Sequence, residues 1–359
     1  MRPEAVSAML PFLGEQFGNP SGSHAMARAA RTAVEDAREV MARELGCDAS
    51  EVVFTGGGTE ADNLAIDGAG AGRRVCSAVE HHAVLRPVKG AGGATVAVDS
   101  DGVVDLGALA SALRADDALV SVMLANNETG VVQPLRDIAA IVGEYAPSAV
   151  LHTDAVAGFS WLDVGECAAD ADLVSISAHK FGGPKGVGAL VVRDGVQLAA
   201  MLRGGGQERE RRSGTHNVAG IVAMAAAAAA TGRDRDAAVS RVGALRDRLA
   251  AAIVSTTTDV VVTAAGAAHT AGTLHLLVGG VESESLLIVL DDLGVCASAG
   301  SACASGALEQ SHVLAAMGVD RELANGALRL SLGWSTTDAD IDAATVALPK
   351  AIEMLRGRS

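Results

Sequence analysis

The chemistry of this chain is most easily read from Lys180. It leaves the apolar run Leu173 to Ser177 and enters a glycine-rich turn, Ser177-Ala178-His179-Lys180-Phe181-Gly182-Gly183-Pro184-Lys185-Gly186. A lysine drawn out of a buried strand is expected to be desolvated, which depresses its pKa and exposes a nucleophilic amine, so Lys180 is the candidate for Schiff-base chemistry. Four other clusters also follow directly on apolar, strand-like runs. Gly56-Gly57-Gly58-Thr59 opens a helical stretch and offers backbone N–H groups, a positive helix end and a hydroxyl to an anion such as phosphate. It is neither a Walker loop nor a dinucleotide fingerprint, and a plain turn before a helix has the same form. Ser77 to His82 places His81 and His82 just beyond a strand, where a histidine is commonly a structural hydrogen-bonding group. Asn126-Asn127-Glu128-Thr129-Gly130 has the composition of an Asx turn. His152-Thr153-Asp154 ends on an acid that serves either as a helix cap or, buried against a heterocycle nitrogen, as the charge that keeps that nitrogen protonated.

A phosphate cradle, an acid for a ring nitrogen, a histidine able to stack and a Schiff-base lysine together describe a pyridoxal phosphate site. One thiol is set apart from the other four. Cys303 lies in Ser298-Ala299-Gly300-Ser301-Ala302-Cys303-Ala304-Ser305-Gly306, a run of small residues without apolar periodicity, where a loop could carry a thiolate to a bound substrate. Cys47, Cys76, Cys167 and Cys296 are expected to be buried structural residues. With no Cys-x-x-Cys pair, neither a disulfide framework nor a structural zinc site is expected.

Alternating strand and helix periodicities must position these clusters. Strands are predicted at Glu51 to Thr55, Val75 to Ser77, Thr95 to Val98, Leu119 to Leu124, Val150 to Thr153, Leu173 to Ser177 and Gly188 to Arg193. Helices are predicted at Ala25 to Leu45, Thr59 to Ile66, Leu106 to Leu113 and Leu135 to Tyr145. That alternation is an α/β fold with a mostly parallel sheet, whose ligands bind beyond the C-terminal strand ends. After Gly232 the text changes to a charged helix, Asp236 to Val254, followed by strands and helices of a smaller α+β unit. Two domains are therefore expected, 1–236 and 237–359.

The 359 residues allow one large or two unequal domains, and 49% hydrophobic with only 2% aromatic residues requires a core of small aliphatic side chains. A net charge of −15 leaves no basic field for nucleic acid. No apolar stretch is long enough for a membrane helix and no signal peptide is visible at the start, so a cytoplasmic protein is expected.

The chain resembles the cysteine desulfurases of the NifS/IscS type, in the class V aminotransferase superfamily with the fold-type I architecture. The stretches that carry the resemblance are FGNPSGSH (Phe17 to His24), FTGGGTEADNLAI (Phe54 to Ile66), EHHAVL (Glu80 to Leu85), NNETGVVQP (Asn126 to Pro134), HTDAV (His152 to Val156), SAHKFGGPKGVGAL (Ser177 to Leu190), GGGQER and RRSGT (Gly204 to Thr215), SAGSACASG (Ser298 to Gly306) and LRLSLG (Leu328 to Gly333). They cover nearly the whole chain in the family's order. The resemblance implies a seven-stranded-type, mostly parallel sheet in the large domain. It implies that Lys180 holds the cofactor and moves the Cα proton, that Asp154 pairs with the ring nitrogen, and that His81 stacks on the ring. Gly58, Thr59, Ser177 and His179 would hold the phosphate, joined by Thr215 from the neighbouring subunit of a homodimer. Asn127 would contact the cofactor's phenolic oxygen or the substrate carboxylate, and Arg329 would clamp that carboxylate. Cys303 would take sulfur from L-cysteine as a persulfide, leaving L-alanine, and pass it to an acceptor such as an iron–sulfur scaffold protein. No metal site is implied beyond Cys303 as a transient iron–sulfur ligand.

Two departures from the family's pattern bear on activity, and two milder differences carry no expectation. The chain starts just after the family's first strand, roughly a dozen residues short, which implies either weakened substrate binding or stability, or a mis-assigned start. Ala157 stands where glutamine usually donates to the phenolic oxygen, so an altered Schiff-base pKa and slower turnover are expected. Glu210 stands where glycine is common, and Gln310 where proline is frequent. The alternatives left open are another pyridoxal phosphate activity on this fold, selenocysteine lyase or aminotransferase, and a weakly active paralogue serving as a protein-binding platform.

Overall fold

A computed structural model describes residues 1–300 and 310–357. The chain divides into two compact units, one formed by Met1–Val96, Leu106–Leu124 and Pro134–Arg235, the other by Ala97–Asp105, Ala125–Gln133 and Asp236–Ser359. The first unit holds helices α1 (Pro3–Met9), α2 (Ala25–Glu44), α3 (Gly58–Gly68), α4 (His82–Gly90), α5 (Leu106–Ala112), α6 (Leu135–Tyr145) and α7 (Val164–Cys167). Its strands are β1 (Val52–Thr55), β2 (Arg73–Ser77), β3 (Ala94–Val96), β4 (Asp117–Ser121), β5 (Val150–Asp154), β6 (Leu173–Ser177) and β7 (Gly188–Val192).

The seven strands form one sheet in the order β1-β7-β6-β5-β4-β2-β3. Neighbours from β6 to β3 are parallel, and β7 is antiparallel to both β6 and β1. All seven predicted strands are observed in order, and α4, between β2 and β3, is a helix the prediction lacked. β1, β6 and β7 are buried at every position, which is why they read as continuous apolar runs rather than alternating ones. The helices bring small side chains to the sheet: Ala61, Leu64, Ala65 and Ile66 of α3 pack with Val84, Leu85 and Val88 of α4 and with strand residues Val53, Leu173 and Leu190. This layering is what a sequence poor in aromatics permits.

In the second unit β10 (Ala327–Ser331), β9 (Thr273–Val278) and β8 (Val260–Val262) make an antiparallel sheet, with helices α9 (Ser283–Asp292), α10 (His312–Ala316), α11 (Arg321–Ala324) and α12 (Asp338–Arg356).

The sequence reading set a charged helix from Asp236 to Val254 apart from the alanine-rich run before Gly232. The structure instead has one continuous helix, α8 (Val218–Thr256). A glycine costs a helix interior only about 1 kcal/mol, and here it has a packing reason. A Cβ at Gly232 would meet the carboxylate of Glu44, so the glycine leaves that side chain its place between α2 and α8.

The left-handed backbone of Glu208, Arg209 and Glu210 (φ 51°, 56° and 64°) is unusual for residues other than glycine. Each such residue costs about 1–2 kcal/mol. Glu210→Gly should therefore stabilise the protein by about 1 kcal/mol after allowing for glycine's extra unfolded-state entropy. Urea unfolding reads this as a higher midpoint at constant slope; a lower midpoint would contradict the strain.

Candidate active site

The first unit gathers its polar clusters at the C-terminal ends of the parallel strands. Asp154 is the last residue of β5 and is buried; its Oδ1 accepts the Val156 N–H at 2.9 Å. Burial pushes its carboxyl up to about 6, against the opposing pull of the Val156 N–H and the Lys180 ammonium. Lys180 lies in a short turn after β6, and its carbonyl accepts the Ser160 hydroxyl at 2.9 Å. The strand behind it is buried, but Lys180 itself is exposed, so the expected desolvated lysine is not seen. What sets its surroundings is a buried acid rather than loss of water.

His81 caps the N-terminus of α4, with its Nδ1 accepting the Ala83 N–H at 3.1 Å. Ligand-capable atoms of His81, Asp154 and Asp62 all lie within 4.8 Å of one another. Asp62, on α3, was not singled out by the sequence reading, nor was Glu80. Both are buried. Asp62 sits 3.7 Å from His152 Nε2, and its Oδ1 has no hydrogen-bond partner. Burial first, then the charge of Asp154, raises its carboxyl well above the usual range. Glu80 Oε1 accepts Ser77 Oγ at 2.6 Å and the Met123 N–H at 2.8 Å, and burial lifts its carboxyl to about 8. The available signals were an acid on the apolar face of a predicted helix and an acid directly before the histidine pair. His152, beneath Asp154, is pushed down to about 3 by burial and stays neutral, bridging Ser121 Oγ at 2.8 Å and Ser175 Oγ at 3.0 Å.

The α3 N-terminus faces β5 and β6. Gly57 precedes the helix with φ 150° and no side chain caps the first turn, which leaves its N–H groups for an anion. A Cβ on Gly58 would stand 2.8 Å from Val156 Cγ2 and 3.3 Å from Ser177 Cβ, so only glycine permits this approach. Thr59 follows in the first turn. Ser177 Oγ is 2.9 Å from His179 Nδ1, and burial together with Lys180 and Lys185 lowers the His179 pKa. An uncapped helix end, two hydroxyls and an imidazole suit a phosphate, and a buried acid near an amine suits a protonated heterocycle beside a carbonyl carbon. The residues present thus fit pyridoxal phosphate.

Thr215 is exposed in this unit. In the second unit Arg329, on β10, donates from Nη1 to the Asn127 carbonyl at 2.9 Å. The Asx turn expected there is made by Asn126, whose Oδ1 accepts the N–H groups of Glu128 and Thr129, each at 2.9 Å. Cys303 lies outside the described residues. Of the other thiols only Cys76 is buried, while Cys167 and Cys296 are exposed, contrary to the expectation that all four are core residues. Cys167 ends the short surface helix α7, and Cys296 follows α9 in an extended connection. Burial pushes the Cys47 thiol up to about 11 and raises those of Cys76 and Cys167, so none of these three is an activated nucleophile.

The aminotransferase class-V family model matches residues 1–344. A cysteine desulfurase IscS of Dictyoglomus turgidum is 41% identical over 99% of this chain and 93% of its own length. An IscS-like cysteine desulfurase of Mycobacterium tuberculosis is 42% identical over 99% and 94%. A solved structure of a NifS-like protein superposes with a TM-score of 0.92 at 32% identity, covering 99% of this chain and 97% of that one.

The buried acids make stability depend on pH. A carboxyl whose pKa rises on folding, as that of Glu80 does, holds its proton in the folded state while the unfolded chain has lost it, so stability falls as pH rises from about 4.5 towards 8. Glu80→Gln should flatten this fall and make the cofactor-free protein more stable than wild type at pH 8, by at least about 1 kcal/mol. Urea titrations at pH 5 and pH 8 measure it; an unchanged slope with pH would refute the assignment.

Proposed function

The chain belongs to the class-V aminotransferase family, and on that premise we propose that it is a pyridoxal-phosphate-dependent cysteine desulfurase, taking sulfur from L-cysteine onto Cys303 and leaving L-alanine. The observation that carries this reading is the buried Asp154 with Lys180, His81 and the uncapped α3 N-terminus around it. Pyridoxal phosphate, when bound, supplies a ring that takes up the electrons released at the substrate Cα.

The protein's own groups do the rest. The α3 N–H groups at Gly58 and Thr59, with the Ser177 hydroxyl and a neutral His179 as donor, hold the phosphate. Thr215 of a neighbouring subunit completes that set. The Asp154 carboxylate keeps a proton on the ring nitrogen, an ion pair that brings its own pKa back down. His81 stacks on the ring. The Lys180 amine first holds the cofactor, then takes and returns the Cα proton. Arg329 binds the substrate carboxylate with its planar guanidinium, and Asn127 contributes an amide. Cys303 thiolate attacks the substrate sulfur; the S–S bond forms as the C–S bond breaks, the electron pair stays on carbon, and protonation there gives alanine. Ala157 brings no donor to the phenolic oxygen, which leaves Asn127 as the amide available to it.

A homodimer is supported by an exposed apolar run at the start of the chain, Val6 (39%), Leu10 (58%), Leu13 (59%) and Phe17 (84%), and by the outward position of Thr215. No helix among the described residues is long and apolar enough to cross a membrane. We place the protein in the cytoplasm, delivering persulfide sulfur to an acceptor such as an iron–sulfur scaffold protein.

Incubation of the holoenzyme with L-cysteine should yield alanine and, by mass spectrometry, a sulfur added to Cys303. Cys303→Ser should lose persulfide and sulfide production at least a hundredfold while keeping the cofactor's visible spectrum. Full turnover in that variant would overturn the assignment of Cys303.

A further inference from the structure

The strand that leads into the phosphate cradle, β1, is an edge strand, so one side of its backbone has no strand to pair with. That side is closed by an ion pair. Arg38, on α2, donates from Nη1 to the Val52 carbonyl at 2.7 Å, and Glu208 Oε2 accepts the Phe54 N–H at 3.0 Å. The two side chains also grip each other in a fork, Nη1 to Oε2 at 2.7 Å and Nη2 to Oε1 at 2.8 Å. Both are buried, and the guanidinium lies 4.7 Å over the Phe54 ring. The remaining approach to Glu208 Oε1 is taken by His216 Nε2 at 2.7 Å. Glu208 thus binds helix, strand and a residue eight positions downstream.

Glu208 is the first of the three left-handed residues, so the chain reverses here at a cost the carboxylate must offset. Past the reversal, Gly214 N–H donates to Gln207 Oε1 at 3.0 Å. Arg212 pairs with Glu60 at 2.6 Å, and Glu60 Oε2 also accepts the Gly56 N–H at 2.9 Å, within the glycine turn before α3. Thr215 therefore has a tethered residue on each side, Arg212 tied to the cradle turn and His216 tied to the cradle strand. Between them Thr215 itself is exposed.

We propose that Glu208 is a positioning residue for the cofactor site of the neighbouring subunit: with Glu60 it latches the segment that carries Thr215 to its own β1–α3 cradle and so fixes where the Thr215 hydroxyl reaches the neighbour's phosphate. This rests on the reading of Thr215 given above. A latch serving only its own chain's stability would weaken both sites of a dimer alike, whereas a latch for Thr215 acts across the interface.

Mixed dimers of two differently tagged chains separate these. One chain carries Lys180→Ala, so that borohydride fixes cofactor only to the single Lys180 of the other chain, and the amount fixed is read against free pyridoxal phosphate concentration. Glu208→Gln on the Lys180→Ala chain should weaken cofactor binding at the intact Lys180 by roughly tenfold, the size expected for one misplaced hydrogen bond to a charged group. The same substitution on the Lys180-bearing chain should leave that affinity near wild type. Because unpairing buried Arg38 endangers folding, the double variant Arg38→Met/Glu208→Leu, which removes both charges, is run in the same two arrangements with the same expectation. Equal weakening in both arrangements, weakening only within the chain, or none in either would overturn the latch. Thr215→Ala serves as the reference. If it acts across the dimer and the Glu208 variants do not, only the latch falls; if it too is without effect across the dimer, the reading of Thr215 falls and the latch with it.

Discussion

The structure is organised around a carboxylate that water cannot reach. Asp154 ends the central strand of the large sheet, with Asp62 and Glu80 buried close enough to be felt electrostatically. Three acids in so small a dry volume cannot all carry charge, because each desolvated carboxylate raises the others. The three are not equivalent. Asp154 has a backbone N–H and the Lys180 ammonium to favour its ionised form, whereas Asp62 has a neighbouring charge against it and an oxygen without a partner. Burial therefore disfavours charge on all three, and the contacts that oppose it at Asp154 are the Val156 N–H and the Lys180 ammonium. In the proposed reading a heterocycle with a protonated nitrogen would answer the charge on Asp154, which would make the acid's burial useful with the cofactor in place.

The sheet makes this placement possible. Parallel strands deliver their C-terminal ends to one edge, and the order β7-β6-β5-β4-β2 sets the ends of β6, β5 and β2 side by side or nearly so. Small residues complete the geometry. Gly58 lets a helix end come within contact distance of Val156 and Ser177, and neutral His152 ties β4, β5 and β6 together through Ser121 and Ser175. Had His152 kept a proton, the site would hold a buried cation that competes with the exposed Lys180 for Asp154. Its burial removes that competitor.

The strand and helix order was legible because buried parallel strands and amphipathic helices leave strong local periodicities. Lys180, Asp154 and the Gly58–Thr59 turn could be found the same way, since each directly follows a strand. What was not legible depends on distance in sequence. The fork between Arg38 and Glu208 spans 170 positions, and nothing local marks either partner. Asp62 and Glu80 were passed over because an isolated acid in an apolar stretch looks the same whether it ends up solvated or sealed. The exposure of Lys180, Cys167 and Cys296 depends on which face of a turn or short helix a residue occupies, a quantity that residue type alone predicts poorly. The split of α8 into two failed for the same reason: Gly232 looked like a stop, yet a single glycine costs a helix interior little enough for the helix to run through it.

The net charge of −15 and a proposed phosphate cradle are compatible because the two act over different distances. Surface charge is screened beyond about 8 Å at physiological ionic strength, so the acidic exterior contributes little inside the cradle. In the proposed cradle the anion would meet oriented N–H dipoles, the Thr59 and Ser177 hydroxyls and the His179 imidazole, none of which carries the cost of a buried arginine. The arginines nearby are committed elsewhere, Arg38 to Glu208 and Arg212 to Glu60. Their task is to hold backbone rather than ligand. On the proposed reading an acidic protein would bind an anionic cofactor by keeping its cations in the frame and leaving the phosphate to dipoles, which need no counter-charge.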